Sequence, residues 1–311
     1  MKIARTVDQA RRVRHSEDHR TGRLAEGLSW GFVPTMGFLH EAHLSLVRRA
    51  AEENDRVVVS LFVNPMQFNE SSDFETYPRD EEKDLSLLRD AGVDLAFLPA
   101  VEEIYPPSFQ THVDVEGVSE GLEGAARPGH FRGVATVLTK LFHIVAPTRA
   151  YFGQKDAQQV AVTRQLVEDL AFGLEVVACP TLRESDGLAM SSRNVRLTAE
   201  DRRQAVVLYQ ALEAAAEAVA GGERDADRLR QRIEEHIATV PRARVDYISL
   251  ADPRSLQELQ GRVDLPALAS LAVFFGDVRL IDNVELIDGG EPDGGEPDGA
   301  HTEPTVRRSV T

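Results

Sequence analysis

A nearly unbroken apolar run at residues 56–63, RVVVSLFV, limits the possible folds of this chain more than any other segment. A strand with one side in solvent alternates apolar and polar residues, whereas this run is apolar at most positions and rich in β-branched side chains. Such a run is typical of a strand that is buried on both faces of a parallel sheet. We therefore predict an α/β fold in which helices cover both sides of this strand.

Strand-like and helix-like segments alternate around this run. Residues 30–33 end a short strand, and apolar residues recur at helical spacing from 42 to 53. Further strand-like segments lie at 94–99, 149–153 and 174–180, and helix-like segments separate them at 80–90, 133–145 and 157–171. Strands spaced by helices of this length predict βαβ units and a Rossmann-like doubly wound parallel sheet over residues 1–181.

The pattern changes after Pro180. Two helices rich in alanine and charged residues are predicted at about 198–220 and 225–240, with short strands near 245–250 and 271–280. These elements predict a smaller α+β C-terminal domain over residues 182–288. The last stretch, 289–311, contains GGEPD repeats and few apolar residues, which predicts a disordered acidic tail.

Composition excludes several classes of protein. The single cysteine, Cys179, rules out a disulfide framework and a thiolate metal cluster. A net charge of −16 without a long basic stripe makes a nucleic-acid partner improbable. The N-terminus is too charged for a signal peptide, and the longest apolar stretch, near 265–275, is too short to span a bilayer. We expect a cytoplasmic protein with no membrane partner.

Polar segments follow four of the predicted strands. They are MGFLHEAH at 36–43, NPMQF at 64–68, GQKD at 153–156 and DGLAMSSRN at 186–194. Each alone has an ordinary structural explanation, because Asn-Pro commonly forms a turn and Ser-Ser-Arg can cap a helix. Ligands of open parallel sheets, however, bind beyond the carboxyl ends of the strands. Four such segments at one edge therefore favour a binding site.

The histidine pair indicates the kind of ligand. His40 and His43 lie in the first turn of a helix that begins where a strand ends, a position that favours anions over cations. With Lys155 and Arg193 they provide four potential cations for a polyphosphate. As a metal pair, the histidines would need a third ligand that their neighbourhood does not obviously supply.

Known motifs narrow the chemistry further. The H-E-A-H segment lacks the spacing of the H-E-x-x-H zinc motif, and the chain contains neither GxxxxGK[ST] nor GxGxxG. No GxSxG elbow makes Ser191 or Ser192 a hydrolase nucleophile. The pattern favours nucleotidyl transfer with a nucleotide held without a P-loop.

A set of longer motifs resembles the pantothenate synthetase (pantoate–β-alanine ligase) family of the nucleotidyltransferase superfamily. The motifs cover about residues 30–287 in order, and they are PTMGFLHEAHLSLV, VSLFVNPMQF, YPRD, EEIYP, RPGHFRGV, YFGQKDAQQ, LRESDGLAMSSRN and GDVRLIDN. The resemblance implies a Rossmann-like N-terminal domain, a C-terminal domain that closes over the site as a lid, and a homodimer.

The resemblance also implies the reaction. ATP, with Mg²⁺ on its phosphates, and (R)-pantoate would form pantoyl adenylate and pyrophosphate. The amine of β-alanine would then attack the acyl carbon, which gives pantothenate and AMP. The protein would be an AMP-forming carbon–nitrogen ligase of pantothenate and coenzyme A biosynthesis, with ATP as co-substrate and Mg²⁺ as cofactor.

Residue roles follow from the same resemblance. The implied catalytic residues are His43 as proton donor, His40 at the α-phosphate and Lys155 at the phosphates. The implied ATP contacts are Met36, Gly37, Phe38, Leu39, His40, Glu41, Ala42, His43, Gly153, Gln154, Lys155, Asp156, Leu182, Met190, Ser191, Ser192 and Arg193. The implied substrate contacts are Gln67 and Gln159, with Asn64 near the same pocket.

Three positions depart from the family pattern. Ala42 stands where relatives often have glycine, and Gln154 where many have glutamate. Lys83 interrupts the acidic run at 80–84 that is a candidate for metal contact in relatives, which leaves the Mg²⁺ ligands unassigned.

Two other functions stay open: a cytidylyltransferase-type nucleotidyltransferase, which would lack NPMQF and the paired glutamines, and a nucleotide-binding regulator without catalysis.

Overall fold

The computed structural model describes residues 1–20, 27–68 and 74–287, so the predicted tail at 289–311 lies outside the described residues. Six strands form one parallel sheet in the order β1-β4-β3-β2-β5-β6. The strands are β1 (Lys2–Ala4), β2 (Trp30–Thr35), β3 (Arg56–Leu61), β4 (Leu95–Phe97), β5 (Arg149–Gly153) and β6 (Glu175–Cys179).

Helices pack on both faces of this sheet. They are α1 (Val7–Arg20), α2 (Glu41–Glu53), α3 (Glu81–Asp90), α4 (Val101–Ile104), α5 (Leu122–Ala126), α6 (His130–Val145) and α7 (Ala157–Asp169). On β3, Val58 belongs to the core that includes residues of α1, α6 and α7. Val57 and Val59, which point the other way, belong to the core formed with α2 and α3. The two-sided burial inferred from the run at 56–63 is confirmed.

The site lies where the strand order reverses. β2 pairs with β3 on one side and with β5 on the other, and all three strands run parallel. Chain segments leaving β2 and β5 therefore depart toward helices on opposite faces of the sheet, which opens a crevice beyond their carboxyl ends. Residues 36–40 follow β2, and the short helix Gln154–Asp156 follows β5 at this crevice.

A second, smaller sheet follows in the sequence. Its strands pair antiparallel in the order β7-β8-β9, and a separate apolar core joins them to two long helices. The elements are α8 (Ala199–Gln204), α9 (Val207–Ala220), α10 (Ala226–Ile237), β7 (Ala243–Ala251), β8 (Ala267–Phe275) and β9 (Val278–Leu286). The predicted fold class, a doubly wound parallel sheet with a smaller α+β C-terminal part, is confirmed. The boundary between 181 and 182 stays a prediction.

Two elements that were each predicted as continuous in this part are interrupted in the structure. The single strand expected near 271–280 is the junction of β8 and β9, because Gly276 adopts a left-handed φ of 57° in a tight turn. The helix expected at 198–220 is two helices that meet at Ala205 and Val206. Both residues keep near-helical dihedral angles, so the break between the two helices is not a reversal of the chain. No helix in the described ranges is long and apolar enough to cross a membrane.

Candidate active site

A buried aspartate fixes the loop between β2 and α2. Gly37 and Phe38 both adopt positive φ, at 80° and 52°, which turns the chain sharply after β2. The carboxylate of Asp84 accepts the backbone N–H groups of Phe38 and Leu39, each at 2.8 Å. Asp84 belongs to the acidic run considered for metal contact, but it is 3% exposed and both of its oxygens bind this loop.

The two histidines contact each other at the start of α2. Their ring centroids lie 4.1 Å apart, and the backbone N–H of His40 donates to Nδ1 of His43 at 3.3 Å. Burial, reinforced by the neighbouring His40, lowers the pKa of His43 to about 3. His43 is therefore neutral near pH 7, and because Nδ1 accepts a hydrogen bond, its proton resides on Nε2.

His40 is neutral for similar reasons. Burial and the positive charge of Lys155 lower its pKa. Its buried Nδ1 has no hydrogen-bond partner in the described part of the chain. Two neutral imidazoles at a helix N-terminus retain N–H donors without adding the positive charge that the helix dipole would oppose.

Lys155 follows β5, and Arg193 lies in the short helix Ser192–Arg196 that comes after β6. Nζ of Lys155 lies 3.5 Å from the carboxylate of Asp156, which is half-exposed. Partial loss of hydration acts to raise the pKa of Asp156, but the charges of Lys155 and Arg193 outweigh it and hold that pKa below its usual value. Arg193 is exposed, and its side chain makes no hydrogen bond or ion pair with the described residues.

The segment carrying Arg193 is held by local hydrogen bonds. The N–H of Met190 donates to the carbonyl of Leu182 at 3.0 Å, which brings together two predicted site residues. The hydroxyl of Ser191 accepts the N–H of Arg193 at 3.2 Å and begins the short helix Ser192–Arg196. Lys155, Asp156, Gln159 and Arg193 line one cavity.

Asn64 and Gln67 form the other end of the crevice. Asn64 is 1% exposed, and its Nδ2 donates to Oε1 of Gln67 and to the carbonyl of Gly133, each at 3.0 Å. Its Oδ1 accepts the hydroxyl of Tyr105 at 2.9 Å. With its Oε1 fixed by Asn64, Gln67 directs Nε2 toward the sulfur of Met36 at 3.1 Å. Asn64 therefore orients Gln67 and has no donor left for a ligand.

Sequence reasoning assigned no role to two residues of this end. Nδ1 of His130 donates to the backbone carbonyl of Gln67 at 2.9 Å, and Arg127 donates to the same oxygen at 3.2 Å. Burial, followed by the charge of Arg127, lowers the pKa of His130 to about 4. Both residues lie in the RPGHFRGV motif, so the motif contained a signal that the interpretation of single residues did not use.

Other predicted contacts reach the crevice only through backbone atoms. Leu39 is a core residue at 5% exposure, and Glu41 directs its carboxylate to Arg48 on the surface of α2. The carbonyls of Gln154 and Lys155 accept Nδ2 of Asn283 from β9, at 3.0 and 2.9 Å. Strand β9 of the second sheet thus supports the turn after β5.

The chain is an α/β protein with a crevice at the switch point of its parallel sheet, which is where sheets of this kind bind their ligands. The sequence profile of the pantoate–β-alanine ligase family matches residues 2–285, and the chain belongs to that family. Its members are ligases, so the chain is an enzyme of this type.

Three relatives illustrate the similarity. The pantothenate synthetase of Herpetosiphon aurantiacus is 55% identical over 284 residues, which cover 91% of this chain and 99% of the relative. A crystal structure of the Thermus thermophilus pantothenate synthetase is 48% identical with a TM-score of 0.83, covering 92% of this chain and 99% of that one. A Francisella tularensis pantoate–β-alanine ligase, crystallised with a β,γ ATP compound and β-alanine, is 37% identical with a TM-score of 0.72 over 91% and 97% of the two chains.

Proposed function

We propose that the protein joins (R)-pantoate to β-alanine in two steps driven by ATP. A carboxylate oxygen of pantoate attacks the α-phosphorus, and the bond from that phosphorus to the bridging oxygen breaks, so pyrophosphate leaves. The amine of β-alanine then attacks the acyl carbon of pantoyl adenylate. The acyl carbon–oxygen bond breaks, AMP leaves with the electron pair, and the amine nitrogen loses its proton to form the amide.

The observation that supports this proposal best is the neutral histidine pair beside Lys155 at the switch point. Attack on the α-phosphorus adds negative charge to its equatorial oxygens, and fixed donors stabilise that charge. Nε2–H of His43 is such a donor, oriented by the backbone N–H that occupies Nδ1. With a pKa of about 3, His43 donates a hydrogen bond near pH 7 without first having to lose or gain a proton.

The proposed pantoate contacts are Gln67 and Gln159. The carboxamide of Gln67 is oriented by Asn64. The carboxamide of Gln159 has no partner among the described residues and lines the cavity that also contains Lys155 and Arg193. Neutral amides suit this position, because they bind the hydroxyl groups of pantoate without repelling its attacking carboxylate. The remaining ATP contacts are proposed as the resemblance implies them.

The residues described do not form a protein cage for Mg²⁺. They include no group of three or more histidine, cysteine, aspartate or glutamate side chains suited to a metal ion. Mg²⁺ is commonly bound through substrate phosphates with few protein ligands. We propose that Mg²⁺ enters on the phosphates of ATP, and we assign it no protein ligand. The homodimer and the cytoplasmic location remain predictions.

Pyrophosphate exchange tests the adenylate route. Enzyme, ATP, Mg²⁺ and pantoate without β-alanine should exchange labelled pyrophosphate into ATP. AMP and pantothenate should accumulate only when β-alanine is added. Exchange that strictly required β-alanine would exclude a free adenylate intermediate, and a nucleotidyl product without AMP would indicate the cytidylyltransferase type of reaction.

A further inference from the structure

Arg127 is a half-buried cation that has no carboxylate partner among the described residues. It follows α5 and lines the same cavity as Lys155 and Gln159. Its two terminal nitrogens contact only neutral acceptors, Nε2 of His130 at 3.3 Å and the carbonyl of Gln67 at 3.2 Å. A guanidinium removed partly from water is normally paired with an anion, so this arrangement leaves a charge for a ligand to satisfy.

The nearby protein carboxylates are committed elsewhere. Glu123 forms an ion pair with Arg279 at 2.8 Å and accepts the hydroxyl of Tyr247 at 3.2 Å. Asp156 lies 3.5 Å from Lys155. No other carboxylate of the described residues lies within ion-pair distance of Arg127. The anion that completes its environment must therefore come from a substrate.

The wall contributed by the second sheet is also polar and incompletely paired. Ser270 and Asn283 are neighbours across β8 and β9, and both line the cavity. The hydroxyl of Ser270 and Oδ1 of Asn283 are buried and have no hydrogen-bond partner in the described part. Unpaired buried polar atoms around a cavity are satisfied by a small polar ligand or by water.

The negative charges of the substrates, compared with the cations already assigned to them, indicate which group binds Arg127. The triphosphate is assigned to Lys155, Arg193 and the histidines, and the carboxylate of pantoate loses its charge when it forms the mixed anhydride. The remaining substrate anion without a partner is the carboxylate of the amino acid that attacks in the second step. Resting on the proposed function, we infer that Arg127 binds this carboxylate and so selects an ω-amino acid over a simple amine.

The position of Arg127 explains how such selection would work. It binds the backbone of Gln67, the residue proposed to hold the acyl group, so the carboxylate site has a fixed distance from the reacting carbon. An amino acid whose amine reaches that carbon while its carboxylate meets the guanidinium gains orientation as well as affinity. An amine without a carboxylate leaves the half-buried guanidinium of Arg127 unpaired and is disfavoured.

Amine selectivity tests the inference. The wild-type enzyme should use β-alanine about 100-fold better, in kcat/KM, than 3-aminopropan-1-ol, which has the same amine and no carboxylate. Arg127→Gln should lower kcat/KM for β-alanine about 100-fold but leave the aminoalcohol reaction and pantoate-dependent pyrophosphate exchange within about twofold. Arg127→Lys keeps the positive charge but loses the planar pair of donors, so its kcat/KM for β-alanine should lie between those of the wild type and Arg127→Gln. Arg132→Gln removes an exposed arginine of α6 and is the matched control.

Three outcomes would overturn the inference. If Arg127→Gln lowered pyrophosphate exchange as much as it lowered kcat/KM for β-alanine, Arg127 would instead bind the phosphates of ATP. A higher KM for pantoate with unchanged amine selectivity would mean that Arg127 only supports Gln67. Equal use of both amines by the wild type would refute a carboxylate site even if Arg127→Gln did not fold. Absence of exchange in the wild type would instead refute the proposed function.

Discussion

The two ends of the crevice differ in how completely their polar atoms are paired. At the phosphate end (His40, His43, Lys155 and Arg193), Nδ1 of His40 and the guanidinium of Arg193 lack partners in the described residues. At the glutamine end (Asn64, Gln67, Tyr105 and His130), hydrogen bonds link all four residues. The described residues pair most polar atoms of the glutamine end with one another, whereas they leave part of the phosphate end unpaired.

The difference has a simple electrostatic reason. A triphosphate brings several negative charges, and protein carboxylates that paired fully with Lys155 and Arg193 would compete with it. Pantoate brings hydroxyl groups and one carboxylate, which require oriented neutral donors that do not reorganise. Substitutions at the phosphate end should therefore lower turnover with little loss of stability, and substitutions at the glutamine end should affect both.

The largest expected effect is that of Lys155→Ala. Loss of the ammonium should reduce pantoate-dependent pyrophosphate exchange by about 10³-fold, since it removes a charged donor from the transition state. Conversion of supplied pantoyl adenylate and β-alanine should remain appreciable, because AMP is the leaving group of that step and no pyrophosphate departs. The melting temperature should stay near wild type, since the amine pairs only with half-exposed Asp156. Lys83→Ala, at an exposed lysine of α3, is the control.

The two half-reactions decide the outcome for Lys155. Equal damage to both would make the lysine a structural or shared residue. A large drop in melting temperature would contradict the contrast between the two ends.

The next effect is on stability, at Asn64. Replacing it by alanine leaves Gln67, Tyr105 and the carbonyl of Gly133 without their partner in a buried site. The free energy of unfolding should fall by about 3 kcal/mol, and KM for pantoate should rise because Gln67 loses its orientation. Tyr105→Phe removes one bond of the same network and should cost about 1 kcal/mol. Chemical denaturation measures both, and a fully stable Asn64→Ala protein would show that the network is not a unit.

Part of the fold and of the candidate site could be predicted from the sequence, but the pairing of polar atoms at the two ends could not. The run at 56–63 predicted a strand buried on both faces, and the pair His40 and His43 predicted an anion site, because both signals are local. The sequence did not indicate that Asp84 fixes the loop at Phe38, or that His130 binds Gln67, since these contacts join residues 46 and 63 positions apart. Hydrogen bonding between distant residues depends on the packed fold and has no periodic pattern.

The turn between β8 and β9 in the second sheet was also missed in the sequence. The segment 271–280 was predicted as one strand because apolar residues stand on both sides of Gly276, although β9 also carries Arg279, Asp282 and Asn283. The pair Gly276 and Asp277 marked the turn, because glycine is free to adopt positive φ and Gly-Asp is common in hairpin turns.

A smaller effect is expected from acid at the glutamine end. His130 is 7% exposed with a pKa of about 4, against 6.5 in the unfolded chain. As the pH falls from 6.5 toward 4, the unfolded state binds a proton that the folded state does not, so stability falls with pH in this window. The expected contribution is roughly 2 kcal/mol at pH 5. His130→Gln should flatten this part of the stability profile, measured by urea unfolding from pH 8 to pH 5.

An exposed histidine of the same helix provides the control. His143→Gln removes a titratable ring from α6 without touching Gln67. If His130→Gln and His143→Gln gave the same pH profile, burial of His130 would not be the source of the acid sensitivity.

The smallest expected effect is that of Asn283→Ala, which tests whether the two ends of the crevice are supported by different parts of the fold. Nδ2 of Asn283, on β9, donates to the carbonyls of Gln154 and Lys155, so the second sheet holds the turn that carries Lys155. The partners of Asn64 instead come from residues 66–133, within the first sheet and its helices. Asn283→Ala should therefore raise KM for ATP about 10-fold, the value of one or two neutral hydrogen bonds, and leave KM for pantoate within about twofold. Gln231→Ala, which removes an exposed amide from α10, should change neither constant. A rise in both KM values with Asn283→Ala would mean that the second sheet supports the whole crevice, and that the two ends are not independent.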